Sequence, residues 1–577
     1  MNKSNISILD SFWTDSMHLR KSLLVWLLVF ICLSFKSILF HWECFGTVLI
    51  STFFRDQLEF WRFYLPKMAG AAFFASFIFL LKRRESILIF TLLLDLWIEA
   101  NLIYLRSYNS FLDIYAISMA GNMKGFWNSI FLYVNKTDVI YPFLSFILYG
   151  CLFLLSSKLR ERSIMGFILA VLFFIVLDLL GWGCYYTKYP SHDGFKALNP
   201  YNTDVRNRSF GSYGVKAYME MTSIFQSPLY IICDALQMDE SMYATSLSQE
   251  EQIWLEKHKG TGIKRFDQTL ILVLVESFED WVITPEITPN LYHYMQTHPV
   301  FYADKIKSEI KGGGSADGQM IINTGLLPLQ YGAACFRFPN NTYPGIMHLS
   351  VQPAICILPH ETNVWNQKAM SPAYGYDSTF VSVDDDRVLF QDVLDMVHLG
   401  WRSIQVVTMS THVPFSGAKV SDYKTPVDMP TYLADYIKAF TTCDKGLGTL
   451  LTAIDTDTLL QNATIVITGD HKIFPNDKRD EYATYMHNKG YHFQVEKPYC
   501  PLIIISPCIK ESSYVTDVAY QMDVYPTILQ SVNCEETTWG GGGIGLLKDY
   551  QTDKREISEE KAYELCDKII RNNYFAQ

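Results

Sequence analysis

The sequence lacks a dense cluster of lysine and arginine, and its formal net charge over 577 residues is -11. Nucleic-acid binding rests largely on neutralising phosphates with basic side chains, so this composition argues against a nucleic-acid partner. The twelve cysteines include no CxxC pair, which argues against a zinc ribbon or a similar thiolate metal site. The eight cysteines in the second part of the chain could pair in an oxidising compartment or remain buried thiols, and the sequence leaves both open.

Long apolar runs are missing after position 183 and crowd the part before it. A helix needs about 20 mostly apolar residues to cross the hydrocarbon core of a membrane. No small-residue cleavage site follows the first run, so it is predicted to be a retained helix and not a signal peptide. Five membrane-spanning helices are predicted, at Ser22–His41, Met68–Leu81, Ile87–Leu105, Pro142–Ser156 and Ile164–Tyr185.

Basic loops give the orientation, because short loops rich in lysine and arginine stay in the cytoplasm. Three such loops, at positions 20–21, 82–84 and 158–162, alternate with the five spans. We therefore expect a multi-pass protein of the bacterial cytoplasmic membrane, with its N-terminus inside and the chain after about Tyr186 outside. ATP is unavailable there, so a transferase would need an already activated donor such as a phospholipid headgroup.

The remainder of the chain has the pattern of a globular α/β domain. Three apolar, β-branched runs have the length of buried parallel strands: Thr269–Val275, Ile404–Thr408 and Ala463–Thr468. Because ligands gather at the carboxyl ends of such strands, the residues that follow each run are candidates for a site: Glu276, His412, Asp470 and His471. The predicted domains are a transmembrane part at 1–185, a linker with helices at 186–264 and a catalytic part at 265–577.

A glycine-rich turn, Lys311 to Gly314, precedes Ser315 and a helical stretch at Gly318–Thr324. The glycines allow a tight turn, and Ser315 at the helix N-cap would face free N–H groups that favour an anion. An ordinary capping serine would give the same local pattern. Likewise, a single Glu or His after a strand is more often a salt-bridge partner or a core residue than a ligand, whereas an adjacent Asp-His pair is typical of a divalent cation site.

In combination, these residues resemble the lipoteichoic acid synthase and phosphoglycerol transferase family, a membrane branch of the sulfatase-like, alkaline phosphatase-like superfamily. The resemblance covers the five-span anchor and nearly all of the soluble part. It rests on motifs that occur in the family's order: Leu274-Val-Glu276-Ser-Phe278, Thr288-Pro-Asn-Leu291, Gly314-Ser315-Ala-Asp317, His360 with Val364-Trp365-Asn366-Gln367, Gly375-Tyr-Asp377, Met409-Ser-Thr-His412-Val-Pro-Phe415, Asp444 before Leu447-Gly448, Thr468-Gly-Asp470-His471, and Asp523-Val-Tyr-Pro-Thr527.

The resemblance implies a five-helix transmembrane bundle followed by an extracytoplasmic sulfatase-like α/β domain. It implies one divalent metal ion, with manganese first and magnesium or zinc as alternatives, held by Glu276, Ser315, Asp470 and His471. Ser315 would be the catalytic nucleophile. His412, His360, Trp365 and Asn366 would bind the substrate, which is a phospholipid donor, phosphatidylglycerol or phosphatidylethanolamine, and the acceptor would be an envelope glycan or glycolipid.

Departures from the family pattern keep alternatives open. The family often has Thr at the nucleophile and Arg where Gln367 stands, so the donor or acceptor is in doubt. A phosphoethanolamine transferase shares the fold and the metal-bound nucleophile, and a non-catalytic scaffold is a third possibility. A sulfatase is disfavoured, because the Pro and Arg of its (C/S)-x-P-x-R motif are missing after Ser315. The acidic run Asp384 to Asp386 predicts a solvated loop rather than a metal site.

Overall fold

The chain forms two compact units in a computed structural model: residues 1–117 with 130–238, and residues 118–129 with 239–577. The structure describes residues 3–46, 51–81, 83–108, 111–118, 133–155, 163–188, 219, 222–236, 247–259, 262, 264–329, 332–472, 476–490, 498–537, 539–548 and 557–576 of these units. Lys82 and the predicted basic loop at 158–162 lie outside the described residues. The two units divide between residues 238 and 239, which is inside the predicted linker at 186–264. The bounds of that linker stay a prediction.

The first unit is built from long apolar helices. Its helices are Lys3–Phe45, Ser51–Arg55, Gln57–Ser76, Arg84–Tyr108, Ile114–Ser118, Ile140–Leu155, Ile164–Lys188 and Ser227–Leu236. Four of the described helices are long and apolar enough to span a membrane, within Lys21–Phe45, Arg84–Arg106, Lys136–Leu154 and Ile164–Thr187. These four agree with four of the five predicted spans.

The remaining predicted span, Met68–Leu81, begins inside the helix Gln57–Ser76 and ends after a short 3-10 turn. This helix carries Glu59, Arg62 and Lys67, which lower its hydropathy. It nevertheless packs against the helices Lys3–Phe45 and Ile164–Lys188. A Cβ atom at Gly181 would lie 3.0 Å from Pro66 Cγ, so a glycine lets two of these helices approach closely.

The described strands of the second unit are β1 Leu270–Val275, β2 Phe301–Lys307, β3 Ala354–Leu358, β4 Ser378–Val381, β5 Ser403–Val407, β6 Thr464–Gly469, β7 Tyr499–Ile505, β8 Ser513–Val515 and β9 Ala519–Tyr520. They form one nine-stranded sheet in the order β4-β3-β5-β1-β6-β7-β2-β8, with β9 paired to β2. The strands from β4 to β6 in this order are parallel, and β7 is antiparallel to both β6 and β2. The predicted strands are the three adjacent central ones, β5, β1 and β6.

Helices cover both faces of this sheet, which explains why its central strands are apolar on both sides. Leu272 of β1 faces the core that holds the helix Ser315–Thr324, whereas Val273 faces the core that holds the helix Thr431–Thr456. The helices of this unit are Gln249–His258, Pro289–Thr297, Ser315–Thr324, Ala334–Arg337, Gln367–Ala373, Asp386–His398, Thr431–Thr456, Asn476–Asn488, Val524–Ser531 and Glu559–Arg571. The described cysteines are free thiols, and six of them are buried within these cores: Cys335, Cys356, Cys443, Cys500, Cys534 and Cys566.

Candidate active site

Three ionisable side chains meet where β1 and β6 end. Glu276 follows β1, and Asp470 and His471 follow the adjacent parallel strand β6. Ligand atoms of these three residues lie within 4.8 Å of one another. Neighbouring parallel strands end at the same edge of the sheet, so the strand order itself brings the three together.

Glu276 is held by the loop that follows β5. Its N–H donates to Thr408 Oγ1 at 3.0 Å, and its carbonyl accepts from Thr411 Oγ1 at 2.6 Å. Ser277 donates its hydroxyl to Glu276 Oε1 at 2.7 Å and has a positive φ of 56°. These contacts fix the main chain of Glu276 and one oxygen of its carboxylate. Only 4% of the residue is exposed.

Among the described residues, Asp470 makes hydrogen bonds through one of its two carboxylate oxygens. Its Oδ1 accepts the N–H groups of Ser277 and His471, both at 2.8 Å. Among the described residues, the buried Oδ2 has no hydrogen-bond partner. Burial, together with the nearby Glu276 carboxylate, raises the pKa of Asp470 to about 7. A buried oxygen without a partner is costly, and a cation at this point would satisfy it.

His471 points one nitrogen into the same space. Its Nδ1 is 2.8 Å from the Lys472 carbonyl, so the neutral ring donates there and turns Nε2 towards the carboxylates. Nε2 lies 3.4 Å from Glu276 Oε1 and 3.5 Å from Asp470 Oδ2. Burial lowers the pKa of His471, but the carboxylates of Asp470 and Glu276 outweigh it and raise the pKa above its usual value. Two carboxylates and an imidazole are a donor set that fits a divalent transition metal.

Ser315 completes this cluster from a different element. Its Oγ donates to Glu276 Oε2 at 3.2 Å and lies 3.2 Å from His471 Nε2. The serine is the first residue of the helix Ser315–Thr324, and Gly314 is the N-cap. The predicted N-cap, Ser315, was therefore wrong by one residue, because Gly314, with φ 52° and ψ -128°, occupies that position.

Asp317 shapes the turn in front of Ser315, a role that was not predicted from the sequence. Its buried Oδ2 accepts the N–H groups of Lys311 and Gly313, both at 2.9 Å. A Cβ atom at Gly313 would lie 2.1 Å from Asp317 Oδ1, so the turn needs a glycine there. The spacing Gly-Gly-Ser-Ala-Asp is the signal that could have revealed this contact, since an acid near the start of a helix often accepts preceding N–H groups.

Among the predicted substrate-binding residues, His412 lies near the cluster and His360 lies near His412. Burial lowers the pKa of His412, and the charge of His471 lowers it further. Burial also lowers the pKa of His360, with a contribution from His412 in the same direction. His412 Nδ1 is 2.6 Å from the Val413 carbonyl. Both imidazoles are therefore uncharged at neutral pH.

Trp365 and Asn366 occupy consecutive left-handed positions, with φ of 49° and 50°. The Trp365 ring lies beside the nucleophile turn, since its Cζ2 is 3.8 Å from where a Cβ of Gly314 would be. Asn366 Nδ2 instead donates to the Cys335 carbonyl at 2.7 Å. Gln367, which stands where the family often has Arg, is buried and donates to Gln319 Oε1 at 2.6 Å.

Asp386 was expected in a solvated loop, and for this residue the expectation was wrong. It is fully buried, and its Oδ1 accepts the N–H groups of Met409 at 2.8 Å and Ser410 at 3.2 Å. These N–H groups belong to the loop that leads from β5 to His412. Asp384 and Asp385 of the same acidic run are at least partly exposed.

Known proteins match both units. The model for the lipoteichoic acid synthase N-terminal domain matches residues 3–187, and the sulfatase model matches residues 354–533. Lipoteichoic acid synthase 2 of Bacillus subtilis (strain 168) is 20% identical over 527 residues, which cover 84% of this chain and 78% of the relative. Among solved structures, lipoteichoic acid synthase LtaP from Listeria monocytogenes is 17% identical, with a TM-score of 0.42 over 58% of this chain and 97% of its own. The phosphoglycerol transferase GacH of Streptococcus pyogenes, solved with sn-glycerol-1-phosphate, is 18% identical, with a TM-score of 0.39 over 58% of this chain and 92% of its own.

Proposed function

Because this chain belongs to the lipoteichoic acid synthase and phosphoglycerol transferase family, we propose that it moves a phosphoglycerol-type headgroup from a membrane phospholipid to an envelope glycan or lipid. One observation carries this proposal: Ser315 Oγ lies 3.2 Å from both Glu276 Oε2 and His471 Nε2, at the edge of a sheet where unpaired carboxylate oxygen is buried. A hydroxyl in this position is placed to become a nucleophile.

Transfer proceeds in two displacements at phosphorus. Ser315 Oγ forms a bond to the phosphorus of phosphatidylglycerol, the bond to the diacylglycerol oxygen breaks, and the serine proton ends on that oxygen. An acceptor hydroxyl then forms a bond to the same phosphorus, the bond to Ser315 Oγ breaks, and the acceptor's proton returns to the serine. Glu276 accepts a hydrogen bond from the Ser315 hydroxyl, and this bond orients the lone pairs of Ser315 Oγ for the first displacement.

Glu276, Ser315, Asp470 and His471 would hold one divalent ion, which we propose to be Mn²⁺. Such an ion supplies positive charge that stabilises the serine alkoxide and the phosphoryl oxygens. Two atoms support this assignment: Asp470 Oδ2, which has no hydrogen-bond partner in the described part of the chain, and His471 Nε2, which lies 3.5 Å from it.

The substrate side is proposed to consist of His412, His360, Trp365 and Asn366. The two neutral imidazoles can donate hydrogen bonds to phosphate oxygens or carry the proton of an acceptor hydroxyl. The Trp365 ring beside Gly314 offers a flat wall to the glycerol moiety. With its N-terminus in the cytoplasm and its second unit outside, the protein would take the donor from the outer leaflet of the cytoplasmic membrane.

Intact-mass analysis of the full-length protein in lipid nanodiscs tests this function. With phosphatidylglycerol and Mn²⁺, wild type should gain the mass of one phosphoglycerol unit, and the Ser315→Ala variant should not. An adduct on both proteins would exclude Ser315 as the nucleophile. An adduct formed with phosphatidylethanolamine but not with phosphatidylglycerol would replace the proposed donor, and release of diacylglycerol without an adduct would indicate rapid turnover of the intermediate.

A further inference from the structure

A single buried side chain, Gln521, connects the two segments that carry the site. Its Oε1 accepts from Glu309 N–H at 3.0 Å and from Ser308 Oγ at 3.4 Å, and its Nε2 donates to the Asp470 carbonyl at 2.8 Å. Only 1% of Gln521 is exposed. Gln521 thus contacts the main-chain carbonyl of Asp470 and not its carboxylate, which faces the site.

The Glu309 end of this connection leads into the nucleophile turn. Glu309 Oε2 accepts from Met522 N–H at 2.8 Å, so the two segments exchange hydrogen bonds in both directions. Tyr563 Oη donates to the Glu309 carbonyl at 2.5 Å. The segment is therefore anchored just before Lys311, and the turn from there to Ser315 is short.

The Asp470 end is enclosed from a second side by the nucleophile helix. A Cβ atom at Gly318 would lie 2.8 Å from the Asp470 carbonyl oxygen and 3.2 Å from Asp470 Cβ. The main chain of Asp470 is therefore in contact with the helix that begins at Ser315, and the same carbonyl accepts from Gln521. Any shift of this main chain would change the distance between Ser315 Oγ and the carboxylate of Asp470.

We propose that Gln521 is a positioning residue that sets the spacing between Ser315 and the metal ligands Asp470 and His471. The role rests on the proposed function, because the residues it positions are the proposed nucleophile and ligands. Groups that orient metal ligands from behind typically change metal affinity or activity by about 10–100-fold when they are altered. Gln521 should act in this way without touching the substrate.

Gln268 provides a matched control. It precedes β1, at the opposite end of that strand from Glu276, and its Nε2 donates to Thr464 Oγ1 at 2.9 Å and to the Ser531 carbonyl at 3.2 Å. It is thus a partly buried glutamine of the same unit whose amide, like that of Gln521, donates to a main-chain carbonyl. Loss of its donor should affect stability but not the site.

The test compares Gln521→Glu with Gln268→Glu in the full-length protein. The new carboxylate can still accept from Glu309 N–H but cannot donate to Asp470. Mn²⁺ affinity and kcat should each fall about 10–100-fold in Gln521→Glu, with KM within a factor of about three, and remain at wild-type values in Gln268→Glu. A negative charge near a cation would by itself tighten binding, so a fall in affinity cannot come from the added charge.

Gln521→Met is a second variant that removes both hydrogen bonds without adding charge, and it should show the same fall in Mn²⁺ affinity and kcat. If wild type binds Mn²⁺ and turns over while Gln521→Glu and Gln521→Met match it, the positioning role is excluded and the proposed function stands. If wild type itself binds no Mn²⁺, the proposed metal site is excluded and the positioning role with it.

Discussion

The two units of this protein both bury charge, but they do so in opposite ways. In the first unit, Lys36 Nζ donates to Asp95 Oδ1 at 2.5 Å and to Ser145 Oγ at 2.6 Å. Ser145 Oγ in turn donates to Asp95 Oδ2 at 2.6 Å, which closes a triangle between three helices. In the second unit, Glu276, Asp470 and His471 crowd together, and Asp470 Oδ2 has no partner among the described residues.

The difference separates a structural charge cluster from a functional one. A buried charge stabilises nothing unless its partners compensate for the loss of water, and the closed triangle around Lys36 provides such partners internally. The open cluster holds two carboxylates that repel each other and one imidazole, and we propose that a cation from outside compensates them. Burial alone would not have distinguished them, because Lys36 and Asp470 are both almost fully buried.

Asp470→Asn should give the largest effect, a loss of transferase activity of about a thousandfold or more, because a proposed metal ligand is replaced by a weaker one. If the cluster is open, the same change should not destabilise the metal-free protein and should raise its unfolding temperature, since one of two facing carboxylates is neutralised. Activity assays with phosphatidylglycerol and thermal unfolding in a chelator measure the two effects.

Asp444→Asn is the control for a closed acid in the same unit. Asp444 Oδ1 accepts from Leu291 N–H at 3.0 Å, and Oδ2 accepts from Asn290 Nδ2 at 2.8 Å. This variant should lower the unfolding temperature of the metal-free protein. If Asp470→Asn lowered it equally, the distinction between open and closed clusters would not hold.

Lys36→Met should destabilise the first unit by about 3–5 kcal/mol, because it leaves Asp95 charged and buried without its cation. Replacing both partners, as Lys36→Met with Asp95→Leu, should recover most of that free energy of unfolding. Denaturation of the full-length protein in mixed micelles measures the change. Lys21→Met, which alters an exposed lysine at the predicted cytoplasmic end of the same helix, should have almost no effect.

Addition of Mn²⁺ should stabilise the second unit by about 2.7 kcal/mol at a free concentration of one hundred times its Kd, because only the folded site binds the ion. The first unit should show no shift, since its charges are already compensated. Calorimetry of wild type and of Asp470→Asn gives the comparison. An equal shift in the variant would mean that the ion binds elsewhere.

The open cluster could be predicted from the sequence, but the contacts that support it could not. Glu276 and Asp470 each follow an apolar run, so the rule for parallel strands was sufficient to bring them together. Gln521 and Asp386 act through partners 51 and 23 residues away, a separation that no local pattern reveals. Their backbone hydrogen bonds depend on the fold and leave no periodic signal.

The first unit shows the same limit for helices. Four spans were evident from hydropathy, whereas the charged residues Glu59, Arg62 and Lys67 reduce the signal of the helix Gln57–Ser76. Lys67 is 1% exposed because neighbouring helices enclose it, and Arg62 is paired with Glu59. Tertiary packing therefore permits charges that a window of sequence counts against a membrane helix.

Asp386 is intermediate between the open and the closed clusters, and its replacement should give the smallest of the predicted effects. Burial raises its pKa to about 6 despite two backbone N–H donors, so the folded state holds the proton more tightly than the unfolded chain, whose value is near 3.8. The stability from this proton is complete below pH 3.8 and is lost as the pH rises through about 6. The free energy of unfolding of wild type should fall relative to Asp386→Asn across this window, by at most about 1.4 kcal/mol per pH unit.

Asp385 is the control. Its hydrogen bonds to Arg387 lower its pKa, so in the folded protein it titrates below this window, and Asp385→Asn should leave the slope within the window unchanged. Parallel curves for wild type and Asp386→Asn would show that the backbone donors compensate the buried charge and that Asp386 belongs with the closed clusters.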